Sequence, residues 1–176
     1  DHHADIGPGA RADVLQVDHD GVEAGEHRIK ARRFVIATGS SPLVPPIPGL
    51  SGVPHFTNET IFDNQLKLPH LIVIGGGPIG VEMAQAHHRL GSKVTVVEYA
   101  DRIVPAMDIE VATAFARVLK KQGMTIKTAT KVTAVTRKGK GASVTVEPAA
   151  GCAAETIDAD IVLLSIGRRP NTDGLN

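Results

Sequence analysis

The sequence predicts an α/β fold in which helices flank a parallel sheet and an antiparallel β-meander lies over it. Three observations predict this class. An apolar strand at 71–74 runs into a glycine turn and an amphipathic helix. A second, β-branched strand follows at 93–98, and a crossover helix of this kind pairs the two strands in parallel. From Lys131 to Thr156, short strands alternate with turns, as they do in an antiparallel meander.

Composition excludes several classes of protein. The 176 residues leave room for one sizeable core, or for one domain with pieces of another, and their 42% hydrophobic content is ordinary for a globular protein. Nineteen Lys and Arg residues balance nineteen Asp and Glu residues, so neither nucleic acid nor an anionic membrane is an expected partner. Because no apolar run reaches the roughly 20 residues of a membrane span and no signal-peptide pattern is present, we expect a cytoplasmic location.

The first part of the chain predicts a partial domain. Apolar and polar residues alternate from 13 to 18, a turn follows at 20–21, and the chain then becomes increasingly apolar, as in a β-meander. Its last strand, predicted at 33–37, ends in small residues at 38–41. These residues would let the backbone approach a flat or phosphorylated ligand, and they fit a plain turn equally well.

Proline and glycine mark the predicted domain boundary. Residues 42–54 are dense in both, so this stretch should be extended and stiff. We therefore expect a partial domain at 1–45, a linker at 46–69 and a main domain at 70–165. The last residues, 166–176, should return toward the first domain.

The turn after the strand at 71–74 carries a G-x-G-x-x-G pattern in Gly75, Gly77 and Gly80. Gly75 permits a tight turn, Gly77 removes a side chain where a pyrophosphate must approach the backbone, and Gly80 lets the helix pack closely on the strand. The phosphates would lie on free N–H groups at the helix N-terminus. The pattern predicts a dinucleotide site, although glycine turns also occur in loops that bind nothing.

Two helices are predicted in the main domain. The spacing of apolar residues in the first predicts one buried face, made of Ile79, Met83, Ala86 and Leu90. Gly91 is placed to end this helix. The second helix should begin after Asp108, end at 122–123 and bury Val111, Phe115, Val118 and Leu119. Strands at 124–127 and 160–166 complete the expected sheet.

Glu98 ends the second strand, 18 residues after Gly80. A carboxylate there can accept hydrogen bonds from an adenosine ribose and would repel a 2′-phosphate. Charge-assisted hydrogen bonds contribute about 1.5–3 kcal/mol, which would set a preference for NAD over NADP of about 10- to 100-fold. The alternative interpretation is an exposed carboxylate at a strand end.

Other candidate residues carry weaker signals. Glu82 lies in the first turns of the helix, near the nicotinamide end of a bound dinucleotide, where a carboxylate also favours the helix dipole. Cys152 is the only cysteine, which excludes an internal disulfide or a redox pair within this chain, and nothing nearby indicates a reactive thiol. The eight histidines lack the spacing of metal ligands, so no metal site is predicted.

The order of these elements resembles the pyridine nucleotide-disulfide oxidoreductase family, above all its dihydrolipoamide dehydrogenases. Four segments carry the resemblance: 37–40 with the proline-rich stretch after it, 75–82, 94–103 and 165–171. It covers nearly the whole chain. Mercuric reductases and related flavoproteins share these central motifs, so the electron acceptor stays open.

The resemblance implies a Rossmann-like fold that binds FAD and NAD, with electrons passing between NADH, flavin and a protein disulfide. By this resemblance one set of residues would hold NAD: Gly75, Gly76, Gly77, Pro78, Ile79, Gly80, Glu82, Glu98, Val132 and Gly167. A second set would contact FAD: Ala37, Thr38, Gly39 and Ser40. Glu82 would also pair with a lysine outside this chain.

The chain departs from the family pattern in what it lacks. The family's amino-terminal FAD motif, its C-x-x-x-x-C pair, the lysine facing Glu82 and its interface domain are absent from these 176 residues. We therefore expect the central fragment of a parent flavoprotein that is a homodimer at full length, and this fragment does not contain the catalytic disulfide. The alternative is an NADH-binding module without chemistry of its own, either a truncated product or a regulator that senses NADH.

Overall fold

A computed structural model of the chain describes residues 16–18, 21–24, 26–149 and 151–173. The chain divides into two compact units. The larger contains 42–169, and the smaller contains the described parts of 1–41 and 170–176. The division therefore falls at Ser41 and Pro42, a few residues before the expected end of the first domain.

The described strands, in chain order, are β1 (Gln16–Asp18), β2 (Gly21–Ala24), β3 (His27–Ile29), β4 (Ser40–Pro42), β5 (His55–Thr57), β6 (His70–Ile74), β7 (Lys93–Val97), β8 (Thr125–Lys127), β9 (Thr130–Lys138), β10 (Gly141–Pro148), β11 (Glu155–Ala159), β12 (Ile161–Leu164) and β13 (Arg168–Pro170). The described α-helices are α1 (Pro78–Arg89) and α2 (Ile109–Lys121). Single 3-10 turns lie at Leu50–Gly52 and Ile61–Asp63.

The larger unit is built on a five-stranded parallel sheet with the strand order β5-β12-β6-β7-β8. Within it, β6, α1 and β7 form the predicted βαβ unit, and Ile72 lies opposite Thr95. Parallel pairing places the carboxyl ends of all five strands at one edge of the sheet, which is where ligands bind in open α/β folds. The predicted fold class is confirmed.

Alternate residues of β6 pack on opposite faces of this sheet. Leu71 and Val73, which are fully buried, share a cluster with Leu119 of α2. Ile72, also fully buried, shares the other cluster with Val144 of β10. Because both faces are covered, β6 is apolar along its length rather than alternating with polar residues.

The covering layer opposite the helices is an antiparallel sheet with the order β11-β10-β9. A hairpin turn at the predicted position joins β9 to β10, and Gly139 there has a φ of 58°. The register shifts between Thr145 and Val146, where a bulge lies in the β9–β10 ladder. This sheet is the meander that the sequence predicted.

The buried face of α1 differs from the predicted one. Its buried residues are Gly80, Val81 and Ala84, whereas Ala86 is exposed and Leu90 has 77% of its surface exposed. The reason is the close contact of Gly80 with the turn before the helix, which rotates that side of α1 toward the sheet. Gly91 follows the helix with a φ of 94°, as expected of a residue that ends a helix.

The second helix begins after Asp108 as predicted, but Asp108 makes no side-chain capping bond. Its buried residues are Ala112 and Leu119, and the predicted Val111 and Val118 are about half exposed, at 47% and 48%. The apolar side chains of α2 are therefore not all on the face that packs against the sheet.

The stretch 46–69, expected to be a linker, is part of the larger unit. It supplies β5, the edge strand that pairs in parallel with β12. Leu50 and Leu68 are buried, and the carbonyl oxygen of Pro48 accepts a hydrogen bond of 2.8 Å from the Val135 amide. The stretch is thus packed and hydrogen-bonded within the larger unit.

The smaller unit contains the antiparallel sheet β1-β2-β3, as predicted for a meander. The strand expected at 33–37 is not formed in this structure. No strand of the described residues pairs with these residues, and Val35 and Ile36 are 90% and 62% exposed. Without a neighbouring strand, an apolar segment cannot form the backbone hydrogen bonds of a sheet.

Candidate functional site

The first glycine of the turn closes tightly behind β6. Gly75 has a φ of 108°, and its amide donates a hydrogen bond of 2.9 Å to the Val97 carbonyl oxygen. A Cβ atom at this position would lie 2.3 Å from the carbonyl oxygen of Ser165. Both the backbone conformation and the lack of space therefore require glycine here.

The other two glycines of the pattern differ in the space around them. A Cβ atom at Gly80 would lie 2.0 Å from the Gly75 carbonyl oxygen, so α1 approaches the turn as closely as its backbone permits. A Cβ atom at Gly77 would meet no heavy atom within 4 Å. Gly77 is the N-cap of α1, where the first N–H groups of the helix have no acceptor within it. The turn is thus packed on one side and open on the other.

Glu98 is fixed beside this turn. Its Oε2 accepts a hydrogen bond of 2.5 Å from the Gly76 amide, and its Oε1 accepts one of 2.7 Å from the Ala100 amide. The side chain is half-buried. A carboxylate has about four acceptor positions, so two remain for hydroxyl donors of a ligand.

The loop between β7 and α2 holds the turn from the side of Glu98. The Val104 amide donates a hydrogen bond of 2.7 Å to the Gly76 carbonyl oxygen. A Cβ atom at Gly76 would lie 3.0 Å from Ile103 Cγ2 and 3.2 Å from Glu98 Oε2, so this second glycine leaves room for both neighbours. Val104 is buried with a φ of 43°, an uncommon conformation for a β-branched residue that the packing of this loop maintains.

These elements border a cleft of about 510 Å³ at the carboxyl edge of the parallel sheet. Its volume lies within the usual range for small-molecule sites. Seven of the residues predicted for NAD line it: Gly75, Gly77, Pro78, Ile79, Glu98, Val132 and Gly167. Gly76 and Gly80 are buried, where they shape the turn. Glu82 is exposed on α1 and is not among the lining residues.

Sequence reasoning missed other residues that line the same cleft, among them Pro45, Ile47, Asn58, Tyr99, Lys131 and Ser165. Tyr99 directly follows Glu98 and is 77% exposed, and Ser165 directly follows β12. The Oγ of Ser165 is buried and has no hydrogen-bond partner among the described residues. Tyr99 and Ser165 could have been found from their position at a strand end. Pro45 and Ile47 were not considered as site residues because their stretch was interpreted as a linker or its boundary.

The four residues predicted for FAD lie in the smaller unit, where the segment around Thr38 is hydrogen-bonded to Asn171. Thr38 Oγ1 donates a hydrogen bond of 2.5 Å to the Asn171 carbonyl oxygen, and Asn171 Nδ2 donates one of 3.1 Å to the Thr38 carbonyl oxygen. Gly39 has a φ of 74°, Ala37 is exposed and Ser40 is half-buried. The Asn171 amide also donates a hydrogen bond of 3.0 Å to the Gly39 carbonyl oxygen, so the two segments are tied together here.

His70 and Asp158 have shifted pKa values, and neither lines the cleft. Burial lowers the pKa of His70, and the neighbouring Lys93 ammonium lowers it further. His70 begins β6, at the opposite end of this strand from the glycine turn, and its Nε2 lies 3.0 Å from Thr95 Oγ1. A hydrogen bond from Lys138 lowers the pKa of the Asp158 carboxyl group.

The remaining candidates are accounted for by local contacts. Cys152 is exposed in the loop before β11. His87 Nδ1 lies 2.9 Å from the Met83 carbonyl oxygen, and His88 Nε2 lies 2.5 Å from that of Gln122. Within the described ranges, no group of three or more His, Cys, Asp or Glu residues is arranged to hold a metal ion. No helix there is long and apolar enough to cross a bilayer.

Known proteins are similar to this chain in sequence and in fold. The sequence model of the family described as pyridine nucleotide-disulphide oxidoreductase matches residues 5–176. Dihydrolipoyl dehydrogenase 3 of Pseudomonas putida is 47% identical over 160 residues, which are 88% of this chain and 33% of that protein. Dihydrolipoamide dehydrogenase of Chaetomium thermophilum is 44% identical over 176 residues, covering 96% of this chain and 34% of that protein.

Two solved structures share the fold. The Cu(II) complex of the HOCl-induced flavoprotein disulfide reductase RclA from Escherichia coli matches with a TM-score of 0.77 and 28% identity, over 94% of this chain and 37% of that one. LpdA from Mycobacterium tuberculosis matches with a TM-score of 0.74 and 29% identity, over 91% of this chain and 36% of that one. The chain thus spans about a third of the length of these relatives.

Proposed function

This chain belongs to the pyridine nucleotide-disulphide oxidoreductase family, whose members use FAD and NAD(P), and from that premise we propose that it is the NADH-binding central part of an FAD-dependent oxidoreductase similar to dihydrolipoamide dehydrogenase. The parent enzyme would move hydride between NAD and flavin and pass electrons on to a protein disulfide. Its full-length form would be a homodimer that includes the domains absent from this chain.

The observation that carries the proposal is the fixed Glu98 carboxylate beside the open side of the glycine turn. A pyrophosphate would lie at Gly77, where no side chain or neighbouring atom occupies the space, and would accept hydrogen bonds from the first N–H groups of α1. Glu98 would accept hydrogen bonds from the adenosine ribose hydroxyls. Its negative charge would repel the 2′-phosphate of NADP.

The rest of the cleft fits the two ends of the same ligand. Val132 would pack beside the adenine, and Gly167 would lie on the nicotinamide side, near the unpartnered Ser165 hydroxyl. When bound, NAD supplies the hydride donor or acceptor. The chain's own contribution is to bind the dinucleotide and orient its nicotinamide ring.

Glu82 has a supporting role in this proposal. It is exposed near the start of α1, so its carboxylate is accessible to a group from another part of the parent protein. There it would pair with a lysine that this chain does not contain. Ala37, Thr38, Gly39 and Ser40 would contact FAD, and the first three of them are exposed.

The test is a comparison of NADH and NADPH affinity for the full 176-residue chain, measured by isothermal titration calorimetry. Loss of charge-assisted hydrogen bonds costs about 1.5–3 kcal/mol, so we expect NADH to bind about 10- to 100-fold more tightly than NADPH. Glu98→Gln should remove most of that preference, and Glu98→Arg should reverse it. Glu110→Gln, which removes an exposed carboxylate of α2, is the matched control and should change neither affinity.

Equal affinities for the two nucleotides, unchanged by Glu98→Arg, would contradict the role of Glu98. The same outcome would leave the family membership intact, because that rests on the sequence match. The titration therefore tests the specific proposal separately from the shared fold.

A second candidate is an NADH-binding module without redox chemistry of its own, which the single, exposed Cys152 favours because no pair of thiols is present in this chain. A mercuric reductase-type parent is a further form of the first proposal. Reading the coding sequence upstream of Asp1 for a C-x-x-x-x-C motif distinguishes the binding module from a disulfide-reducing parent. Its presence would support a disulfide-reducing parent, and its absence would favour the binding module.

A further inference from the structure

A second cleft lies in the larger unit between the loop after β7, the helix α2 and the strand β8. Its volume is about 560 Å³, similar to that of the first. None of the residues that line it also lines the cleft at the glycine turn. The second cleft is therefore a separate feature of the fold.

Its rim is cationic. Arg117, Lys120 and Lys121 line it at spacings of three and four residues, which place their side chains on one side of α2. All three are exposed, and none makes an ion pair with a residue in the described part of the chain. Lys120 and Lys121 are favoured at the end of a helix by its dipole, but Arg117 lies a full turn earlier.

The negative charge in this cleft is already neutralised. Asp101 is the acidic residue among its lining side chains, and its carboxylate accepts hydrogen bonds of 3.0 and 3.3 Å from Arg102 Nη1. Arg102 Nη2 donates to the Pro105 carbonyl oxygen at 3.2 Å. The three α2 cations consequently leave the cleft with an excess of positive charge.

One polar atom beside the cleft lacks an acceptor. The Nε–H of Arg102 is buried and has no hydrogen-bond partner within the described ranges. An unsatisfied buried donor is uncommon in folded proteins. An anionic oxygen that reached this side of Arg102 would supply the missing acceptor.

The floor of the cleft is apolar. Ile103 and Ala112 are fully buried and Ile126 is 8% exposed, while Ala116 is half-buried. Thr113 and Thr128 add two hydroxyl groups to the lining. An inorganic anion would use only the rim, whereas an anion with an apolar body would also cover this floor.

We propose that this cleft binds a small organic anion, a phosphate or carboxylate attached to a compact apolar group. The charged group pairs with Arg117, Lys120 and Lys121, and the apolar group packs on Ala116 and the accessible edge of Ile126. This site is independent of the nucleotide site proposed above.

The test uses phenyl phosphate, inorganic phosphate and phenol as probes of the full chain in isothermal titration calorimetry at low salt. We expect saturable one-to-one binding of phenyl phosphate, at least about tenfold tighter than that of either fragment probe, because only it meets both rim and floor. The double variant Arg117→Gln/Lys120→Gln should weaken phenyl phosphate binding by at least about tenfold. Lys140→Gln, at the exposed β9–β10 turn, is the matched control and should leave it unchanged.

Three results would overturn the proposal. These are the absence of saturable phenyl phosphate binding, an unchanged affinity in the double variant, and an equal loss in Lys140→Gln. Far-ultraviolet circular dichroism identifies a double variant that fails to fold, and Lys121→Gln, which changes an exposed residue of the same rim, then takes its place and should also weaken phenyl phosphate binding. Saturating NADH should not displace phenyl phosphate, and displacement would assign the binding to the glycine-turn cleft instead.

Discussion

Replacing Gly75 by alanine introduces a methyl group 2.3 Å from the carbonyl oxygen of Ser165, where ordinary contact begins near 3.4 Å. The backbone of β12 or of the turn must therefore move by about 1.1 Å, the difference between these two distances. Overpacking of this kind costs about 1–3 kcal/mol. The φ of 108° adds about 1–2 kcal/mol, because L-residues avoid this conformation. The two costs together predict a destabilisation of about 3 kcal/mol.

Gly77→Ala is the matched control, two residues along the same turn. Its φ is −69°, and a Cβ atom there meets nothing within 4 Å, so its free energy of unfolding should change by less than about 0.5 kcal/mol. The new methyl group would instead occupy the space assigned to the pyrophosphate. We therefore expect Gly77→Ala to remain folded and to bind NADH at least about tenfold more weakly.

Urea denaturation followed by circular dichroism gives the free energies of unfolding, and thermal scans should place the midpoint of Gly75→Ala about 6–12 °C below that of the unmodified chain. An unchanged stability of Gly75→Ala would refute the packing argument. A comparable loss of stability in Gly77→Ala would refute the assignment of one glycine to the fold and the other to the ligand.

Other predictions follow from the core, the surface and the strand ends. Leu163→Ala removes a fully buried side chain of β12 and should cost about 2–5 kcal/mol in urea denaturation. Glu155→Gln breaks an ion pair with Lys127 between partly exposed side chains and should change stability by less than about 1 kcal/mol in the same assay. Because burial lowers the pKa of His70, the unfolded chain binds a proton more readily there, so stability is retained above about pH 6.5 and falls as the pH drops below it. His70→Gln should reduce that fall between pH 7.5 and 5.5, and an unchanged pH dependence would contradict this assignment.

The parts of the fold that were predicted correctly have local signals. The apolar run of β6, the glycine turn and the β-branched β7 lie within about 30 residues, so the sequence itself indicates a βαβ unit. Membership of a family whose members use FAD and NAD(P) is likewise confirmed, and so is the α/β class. The proposed roles of individual residues and the cytoplasmic location stay predictions.

The structure differs from the expectations where contacts join distant residues. β5 pairs with β12, more than 100 residues later, and only this pairing distinguishes an edge strand from a proline-rich linker. The buried face of α1 is set by the contact of Gly80 with Gly75, whereas the apolar Leu90 points elsewhere and is exposed. At 33–37 an apolar run predicts a strand, but a strand also needs a neighbour that this structure does not place beside it.

The cleft was predicted only where chemistry constrains the residue type. Glycines at a phosphate turn and a carboxylate at a strand end are recognisable from spacing, and the structure places Gly77 and Glu98 together at one cleft. Ser165 and Lys131 reach the same cleft because β12 and β9 end or begin there. Position at a strand end marks Ser165 as a candidate, but the strand order is needed to know that Ser165 and Lys131 reach the same cleft.

The most direct test of the account is a titration of the nitrogen-15-labelled chain with NADH, followed by proton–nitrogen correlation spectra. If NADH binds at the glycine turn, the amide signals of Gly77, Ala100 and Val132 should shift together and saturate at the affinity measured by calorimetry. The signals of Arg117 and Lys120, at the second cleft, should stay in place. Shifts confined to α2, or saturation without any change at Gly77, would contradict the central claim that this turn and Glu98 form the NADH site.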